Sequence, residues 1–291
     1  MTVPLPASTD PPGISQAEFV RFRDFFYRHT GIRFASNKRY FVDRRLAERL
    51  ARSGARSLRE YLHRLRTDPD STELQQLVNT MTVSESYFCR EAYQFDALVD
   101  GALDRVLARR ARPDLPLRIW VVPSSTGEEA YSIAMYLLER WPRIDQIDVE
   151  IVASDIDTHA LDRARAGVYS ARSTRLVPAI WKRRYFDPRG RNLQICPDLR
   201  ASVDFRRLNL MDPVGCAAFR GFDIVFCRNL LIYFDQDSRR RAVDALHDAM
   251  NPGGLLFLGH SEALTTLTPR FRPLRIDQVQ VYEKPRPEVH P

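Results

Sequence analysis

The segment from residue 119 to residue 138 joins a buried apolar run to an apolar helix through a Ser-Thr-Gly turn, and the helix begins with Glu128 and Glu129. Strand-turn-helix connections often bind phosphate, because free backbone N–H groups and the positive end of the helix dipole attract anions. Here two carboxylates make the turn negative, and it lacks the G-x-G-x-x-G spacing of a dinucleotide site. The turn therefore favours a ligand that carries positive charge over a pyrophosphate.

A second acidic group stands about 30 residues further on, where Asp155 ends the apolar segment DVEIVASD. A carboxylate at this place commonly binds ribose hydroxyls, although it can also cap the following helix. An anionic first turn and Asp155 together describe a ligand with a ribose and a cationic group but no phosphate. We therefore expect S-adenosylmethionine as the cofactor. In the next strand candidate, RLNLMDP places Asn209 and Leu210 where the adenine would lie.

The fourth apolar run ends in FCRNLLIYF, which puts Arg228 and Tyr233 at a strand end. A cation and a phenol at this position are candidates for contact with a reacting group. Each residue also has a purely structural alternative. Arg228 could form a surface ion pair with Asp235 or Asp237, and Tyr233 could belong to the core.

A sheet with helices between its strands is needed to bring these residues together. From residue 111 to residue 291, short apolar runs alternate with helical patterns, which predicts an α/β domain with a doubly wound, mostly parallel sheet. Ligands of such sheets bind at the carboxyl ends of the strands. The alternating segment LRIDQVQVYEKP predicts an added antiparallel strand. Pro, Gly and short β-like pieces at about 185–203 predict an inserted β-hairpin subdomain.

The N-terminal part of the chain has a different pattern. Residues 16–80 show helical periodicity with Ser and Gly at the helix ends, which predicts four short helices in a small all-α domain. Residues 81–110 predict a linker and a connecting helix. Residues 1–15 are rich in Pro, Ser and Thr and lack the features of a signal peptide, so we expect a disordered leader.

Positive charge is concentrated in the all-α domain. The chain has a net charge of +7, and residues 1–80 hold 14 Lys or Arg against 9 Asp or Glu. Such an imbalance indicates an acidic partner, which can be nucleic acid, a membrane surface or an acidic protein. The second predicted helix contains six basic residues but only two acidic ones, Asp43 and Glu48, to balance their charge. We predict that this helix docks a partner, the alternative being a solvated face, and its basic residues are Lys38, Arg39, Arg44, Arg45, Arg49 and Arg52.

Cysteine spacing and hydropathy bound the remaining classes. The four cysteines show no C-x-x-C spacing and no paired histidines accompany them, so we expect neither a disulfide framework nor a metal site. No apolar run approaches the 18 residues of a membrane span. We expect a cytoplasmic protein, and a monomer.

Four groups of segments together resemble the CheR-type chemotaxis receptor methyltransferases: MTVSESYFCREAYQF, WVVPSSTGEEAYSIA, ASDIDTHALDRARAGVY, and FDIVFCRNLLIYFD with NPGGLLFLGHSE. The resemblance covers roughly residues 16–284. It implies a class I methyltransferase-like fold, S-adenosylmethionine as methyl donor, and transfer to glutamate carboxylates of chemoreceptors. The methyl esters would tune chemosensory signalling. The alternative is a cofactor-binding regulatory protein of a chemosensory array with little turnover.

A nucleic-acid methyltransferase is disfavoured, because the fourth strand carries Arg228-Asn229-Leu230-Leu231 where amino-directed enzymes usually show Asp-Pro-Pro-Tyr or Asn-Pro-Pro-Tyr. We therefore expect no nucleic-acid partner and no membrane insertion. The family's Gly-rich loop is missing, so we expect no stable tethering of a receptor pentapeptide.

The resemblance also implies the roles of individual residues. Ser84 stands where the family usually has Asn, and Ser86 where it has Thr. By the same carry-over, catalysis is assigned to Arg90, Arg228 and Tyr233, and the basic helix is assigned to receptor methylation helices. The implied cofactor-binding residues are Ser84, Ser86, Arg90, Glu129, Asp155, Asn209, Leu210, Arg228 and Asn229.

Overall fold

The computed structural model describes residues 14–68, 72–264 and 267–287. The chain divides into two compact units, residues 1–82 and residues 83–291. The predicted leader falls on residues 1–15, of which residues 1–13 lie outside the described part.

The first unit is helical, and its described elements are α1 (Gln16–Thr30), a 3-10 turn (Ser36–Lys38), α2 (Arg39–Ser53), α3 (Leu58–Thr67) and α4 (Thr72–Met81). Ser15 caps α1 reciprocally with Glu18, which satisfies backbone N–H groups at the helix start. Gly31 ends α1 in the left-handed conformation that glycine adopts at least cost. Phe22 and Phe26 are fully buried in the core between the helices.

Two arginines of α2 hold this unit together instead of facing a partner. Arg49 is buried, and its Nε lies 3.1 Å from Oε1 of Glu73 on α4, which also accepts a hydrogen bond from the Tyr61 hydroxyl at 2.6 Å. Arg45 donates to the backbone carbonyl groups of Thr80 at 2.6 Å and Thr82 at 2.9 Å. The prediction that these two arginines are available for docking is therefore wrong.

Three other basic residues of the same region are exposed, namely Lys38, Arg44 and Arg52. Arg39 is half-buried and pairs with Asp43 at 3.3 Å, within its own helix. Arg52 pairs with Glu48 at 3.0 Å, also within the helix, and both side chains stay largely in solvent. Any electrostatic docking by α2 is thus left to a smaller set of charges than the sequence suggested.

The second unit is an α/β domain. Its strands are β1 (Leu117–Val121), β2 (Val149–Asp155), β3 (Val168–Ser170), β4 (Phe186–Arg189), β5 (Asn192–Ile195), β6 (Val203–Arg207), β7 (Phe222–Cys227), β8 (Met250–Leu258), β9 (Arg272–Ile276) and β10 (Val279–Glu283). Its helices are α5 (Ala92–Ala97), α6 (Leu103–Leu107), α7 (Glu128–Arg140), α8 (Thr158–Ala166), α9 (Ala179–Tyr185), α10 (Pro197–Ala201), α11 (Pro213–Ala217) and α12 (Gln236–Ala249). A π-helical turn (Leu98–Ala102) joins α5 to α6, and a 3-10 turn (Leu231–Tyr233) follows β7.

Within the described residues, seven strands form the main sheet in the order β6-β2-β1-β7-β8-β10-β9. The first five of these run parallel to one another, and β10 is antiparallel to both β8 and β9. This confirms the predicted fold class. Because the chain order reverses between β1 and β7, the crevice at their carboxyl ends is where a ligand of such a sheet binds.

The inserted subdomain is a small antiparallel sheet with the order β3-β5-β4. The hairpin of β4 and β5 lies within the predicted range of about 185–203. Strand β3 joins it from earlier in the chain, and residues 197–201 form helix α10. Three residues of β3 are too few to give an alternating pattern, so sequence alone did not reveal this strand.

Candidate functional site

At one position of the turn between β1 and α7, the backbone conformation and the close neighbours require glycine. Gly127 has φ of 93°, and a Cβ there would lie 2.9 Å from the Ala164 side chain and 3.1 Å from that of Phe205. The backbone N–H of Ser125 donates to Oδ2 of Asp155 at 2.7 Å, which ties the turn to the end of β2. Oγ of Ser125 is buried without a hydrogen-bond partner in the described residues, so it is available to a ligand.

The two glutamates that open α7 face different partners. Glu128 is buried and accepts hydrogen bonds from the Thr126 hydroxyl at 2.6 Å and the Ser173 hydroxyl at 2.8 Å. It therefore fastens the turn to the segment after β3. Only Glu129 faces the crevice, so the predicted negative turn depends on one carboxylate and not on two.

Arg228 lies at the centre of the site, immediately after β7, and is only 4% exposed. Its Nη1 is 2.9 Å from Oε2 of Glu129, and its Nη2 is 3.1 Å from Oε2 of Glu91. Nη2 also donates to the backbone carbonyl of Arg90 at 2.8 Å. One buried guanidinium thus joins the end of β7, the start of α7 and the loop before α5.

Both structural alternatives for the fourth strand end are wrong. Arg228 is buried with other partners, and Asp235 instead caps α12, where its Oδ1 accepts from the Ser238 backbone at 3.0 Å. Tyr233 is 45% exposed and lies on the 3-10 turn after β7, outside the core.

The two carboxylates around Arg228 differ in electrostatic environment. Burial raises the pKa of Glu129, and the attraction of Arg228 only partly opposes this. Burial also acts on Glu91, but Arg228 and His260 outweigh it, so the pKa of Glu91 is lowered. Since one guanidinium serves two carboxylates, negative charge at Glu129 stays incompletely compensated. A cation bound next to Glu129 would relieve that cost.

Glu91 was missed by the sequence analysis. It adopts φ of 57°, and its carboxylate also accepts from Nε2 of Gln94 at 3.0 Å and lies 2.9 Å from Nδ1 of His260. Its position next to Arg90 in a segment already singled out was the available signal. Its pairing with Arg228, far along the chain, was not visible in any local pattern.

Glu262 was also missed, although it ends the quoted segment GGLLFLGHSE. Its carboxylate accepts backbone N–H groups from Asn229 at 2.8 Å, Leu231 at 2.8 Å and Gly259 at 2.9 Å. Asn229 has φ of 58°, which turns the chain sharply after Arg228. Glu262 therefore fixes the loops that follow β7 and β8.

Asp155 is buried at the end of β2. Its oxygens accept from the backbone N–H groups of Ser125 and Asp157, the latter at 2.9 Å, and burial raises its pKa to about 6. The Asp155 carbonyl accepts from the Leu208 backbone at 2.9 Å, which brings the loop after β6 to the same edge. In that loop Oδ1 of Asn209 accepts from the Met211 backbone at 3.0 Å.

Leu210 is buried in that loop and leaves only a small surface for a ligand. The loop before α5 contributes Ser84, whose hydroxyl lies 3.4 Å from Oδ2 of Asp157, and Ser86, which is half-buried. The half-buried Arg90 extends near Tyr87, with 5.7 Å between guanidinium and ring centre. Among the described residues no hydrogen bond or ion pair joins Tyr233 to Arg90.

Other classes of site find no support in residues 14–68, 72–264 and 267–287. These residues contain no group of three or more His, Cys, Asp or Glu side chains arranged to hold a metal ion. Cys89, Cys196, Cys216 and Cys227 are free thiols. The helices in the described ranges include none with the length and apolar character of a membrane span.

Two family models match the chain, one for each unit. Residues 17–82 match the model "CheR methyltransferase, all-alpha domain", and residues 84–280 match "CheR methyltransferase, SAM binding domain". The boundary between the matches coincides with the division of the chain between residues 82 and 83.

Several curated relatives are similar over nearly their whole length. "Chemotaxis protein methyltransferase 2" of Vibrio cholerae is 45% identical over 94% of this chain and 94% of the relative. "Chemotaxis protein methyltransferase 2" of Pseudomonas aeruginosa is 38% identical over 89% of this chain and 93% of its own. "Chemotaxis protein methyltransferase" of Escherichia coli is 35% identical over 90% of both chains.

Proposed function

The chain belongs to the CheR family of S-adenosylmethionine-dependent methyltransferases, and from that premise we propose that it methylates glutamate side chains of chemoreceptors. The observation that carries the proposal is the pair of Glu129 and buried Arg228 in the crevice between β1 and β7. A carboxylate at this place suits a methyl donor with a cationic amino acid group. The names of the relatives, chemotaxis protein methyltransferases, supply the class of substrate.

The residues present fit S-adenosylmethionine. We propose that Glu129 binds the ammonium group of S-adenosylmethionine, because the buried charge of this carboxylate is only partly compensated by Arg228. Asp155 is assigned to the ribose hydroxyls, and Asn209 and Leu210 to the adenine side. The buried Ser125 hydroxyl, unpartnered in the described residues, adds a polar atom for the ligand to satisfy. The further binding residues of the proposal are Ser84, Ser86, Arg90, Arg228 and Asn229.

When bound, S-adenosylmethionine supplies an electrophilic methyl group on a sulfonium. A glutamate side chain has a reference pKa of about 4.3, so it is already ionised near pH 7 and needs no general base. The task of the protein is therefore to orient the carboxylate in line with the methyl group. A cation that contacts one carboxylate oxygen positions it with little loss of nucleophilicity.

We assign the orientation of the substrate carboxylate to Arg90, Arg228 and Tyr233, which have different roles. Tyr233 is exposed and Arg90 is half-buried, so both can meet a substrate carboxylate. Arg228 is buried and shared between two carboxylates, which suits it to position Glu129 and the Arg90 backbone.

The finer statements about partners rest on the same premise. We assign receptor docking to three exposed cations, Lys38 in the 3-10 turn before α2 and Arg44 and Arg52 in α2. We further propose that the protein acts in the cytoplasm, which the free state of its four cysteines supports. We also propose that it acts as a monomer. The alternative, a regulatory protein with little turnover, is not favoured, because family models match both units and the relatives are named chemotaxis protein methyltransferases.

The test is incubation with radiolabelled S-adenosylmethionine and receptor cytoplasmic domains, followed by release of base-labile methyl esters. The wild-type protein should produce esters, and Glu129→Gln should produce few at moderate donor concentration. Glu150→Gln is the matched control, because Glu150 lies at the amino end of β2, away from the carboxyl ends of the strands that form the crevice. Absence of base-labile label with every receptor domain would reject the proposed function.

A further inference from the structure

One surface of the second unit combines exposed apolar side chains with positive charge. It consists of Arg172, Arg175, Leu176, Ile180 and Arg183, and we call it the 172–183 surface. Leu176 is 51% exposed and Ile180 is 62% exposed. Apolar side chains that are scattered singly need no explanation, but neighbouring ones framed by charged residues are typical of sites that bind another protein.

The exposure of this surface follows from how α9 is anchored. Trp181 and Tyr185 are buried on one side of the helix, and the Trp181 ring packs edge-on against Tyr136 with centroids 5.0 Å apart. Ile180 and Arg183 are three residues apart and so share the opposite side. The helix is therefore held in place by its aromatic side, and the side that carries Ile180 and Arg183 is free for a partner.

Positive charge is locally concentrated at this surface. Residues 171–184 contain five Lys or Arg and no Asp or Glu, although residues 83–291 as a whole hold 30 basic and 28 acidic residues. Arg183 forms no ion pair within the described ranges, and Arg172, with 85% of its side chain exposed, reaches only Glu85 at 4.0 Å. Arg184 pairs with Glu139 at 2.8 Å, whereas Arg175 and Lys182, like Arg183, have no ion pair within the described ranges. Positive charge is thus in excess at this surface, which favours an acidic partner.

The 172–183 surface adjoins the loop that carries Ser84, Ser86 and Arg90. The Arg175 guanidinium lies 3.9 Å from the centre of the Tyr87 ring. The Phe88 backbone N–H donates to the carbonyl of Ser173 at 3.0 Å. A partner on this surface would therefore lie alongside the loop to which the proposed reaction assigns a substrate contact.

We propose that the 172–183 surface docks the glutamate-bearing helix of the chemoreceptor, and this inference rests on the proposed function and deepens it. Leu176 and Ile180 pack against apolar side chains of that helix, and Arg172 and Arg183 pair with its carboxylates. Glutamates three or four residues apart lie on one helix face, which matches a row of cations. A nucleic acid would attract the cations, but its phosphate backbone has no apolar face against which Leu176 and Ile180 could pack.

The test compares two double charge reversals within the same subdomain. Arg172→Glu with Arg183→Glu changes the surface, and Arg189→Glu with Arg191→Glu changes the turn of the β4–β5 hairpin by the same total charge. The first variant should raise the KM for a receptor cytoplasmic fragment about tenfold at low salt, because steering charges change association rates by roughly 10- to 1,000-fold. The kcat at saturating receptor and the Kd for S-adenosylmethionine should stay unchanged.

The effect should shrink as salt is raised towards 1 M, where the Debye length is about 3 Å. A separate variant, Leu176→Ser with Ile180→Ser, should raise the same KM with little dependence on salt. An unchanged KM in the surface variants, or an equal rise in the hairpin control, would overturn the docking proposal. Competition by a DNA duplex as effective as that by the receptor fragment would also overturn it.

Direct binding separates this proposal from the proposed function. Fluorescence anisotropy of a labelled receptor fragment, measured without methyl donor, should show weaker binding to the surface variants than to the hairpin control. If the wild type binds in this way but forms no methyl esters, the proposed function fails and the docking surface stands. If it forms esters and all variants bind and react equally, the docking surface fails and the function stands.

Discussion

Nη1 of Arg228 lies 2.9 Å from Oε2 of Glu129, so a buried ion pair joins the end of β7 to the first turn of α7 in the crevice between β1 and β7. Glu91 holds the other side of the same guanidinium at 3.1 Å. The pair places a carboxylate, poorly compensated for its burial, at the position where this class of sheet binds its ligand.

Replacing the Glu129 carboxylate by an amide should selectively weaken binding of the methyl donor. Glu129→Gln removes a charged acceptor worth about 1.5–3 kcal/mol, which corresponds to roughly a 10- to 150-fold higher Kd for S-adenosylmethionine. Isothermal titration calorimetry measures it, with Glu150→Gln as control. Equal affinity of the two variants would remove Glu129 from the binding site.

Removing the guanidinium of Arg228 should destabilise the fold. Arg228→Met leaves Glu129 and Glu91 buried without their shared cation, and loss of one partner of a buried pair costs about 3–5 kcal/mol. Urea denaturation should show this loss, while Arg240→Met, at an exposed pair with Asp237, should leave the midpoint unchanged. Adding Glu129→Gln and Glu91→Gln to Arg228→Met should restore part of the stability. A triple variant less stable than Arg228→Met would contradict the account.

Donor affinity should fall in mildly acidic solution. The pKa of Asp155 is raised to about 6 by burial, so the carboxylate takes up a proton as the pH falls through 6 and accepts ribose hydroxyls less well. The Kd measured between pH 8 and pH 5 should therefore rise on the acid side. Burial also raises the pKa of Glu129, so this carboxylate can contribute to the pH dependence of the Kd. The Glu129→Gln variant removes that contribution and should retain the pH dependence that Asp155 causes. Persistence of the full dependence in Asp155→Asn would show that another group titrates.

Glu262 should matter for order in the loops after β7 and β8. Glu262→Gln leaves one amide oxygen to accept three backbone N–H groups, and an unsatisfied buried donor costs about 1–3 kcal/mol. Hydrogen exchange at Asn229, Leu231 and Gly259 should quicken, and kcat should fall more than donor affinity. Unchanged exchange at all three amides would show that the carboxylate does not hold these loops.

The basic residues of α2 should separate into two groups. Arg49→Met removes the partner of Glu73 inside the first unit and should lower the thermal midpoint of the protein. Arg44→Glu, at an exposed position of the same helix, should leave the midpoint unchanged and raise the KM for receptor at low salt. Differential scanning calorimetry and receptor titration distinguish the two. A stable Arg49→Met with a raised KM would restore the docking role that the sequence suggested for Arg49.

Sequence reasoning could predict the parts of this molecule that depend on local pattern. Apolar runs predicted β1, β2, β6, β7 and β8 of the main sheet, but the alternating segment LRIDQVQVYEKP predicted one antiparallel strand where β9 and β10 form two. Asp155 ends β2 and Glu129 lies in the first turn of α7, as the sequence pattern indicated. The direction of the Glu128 side chain depends on Ser173, a contact between distant segments. The burial of Arg49 likewise depends on Glu73, on another helix, which no charge count within α2 reveals.

The pairing of Glu91 with Arg228 was beyond prediction for a related reason. The two residues are far apart in the chain, and Glu91 reaches its partner from a left-handed backbone conformation that non-glycine residues rarely adopt. Strand β3 is stabilised by its pairing with β5 and not by a pattern of its own. Tertiary contacts thus decide the features that local sequence leaves open.

Glutamate methylation can be read out by tandem mass spectrometry of a receptor cytoplasmic fragment after incubation with the protein and S-adenosylmethionine. We expect methyl esters on glutamate side chains and equimolar S-adenosylhomocysteine from the wild type and from Glu150→Gln, and strongly reduced ester formation by Glu129→Gln at limiting donor. Methyl groups on other side chains, or none with any receptor fragment while the donor still binds, would refute receptor glutamate methylation.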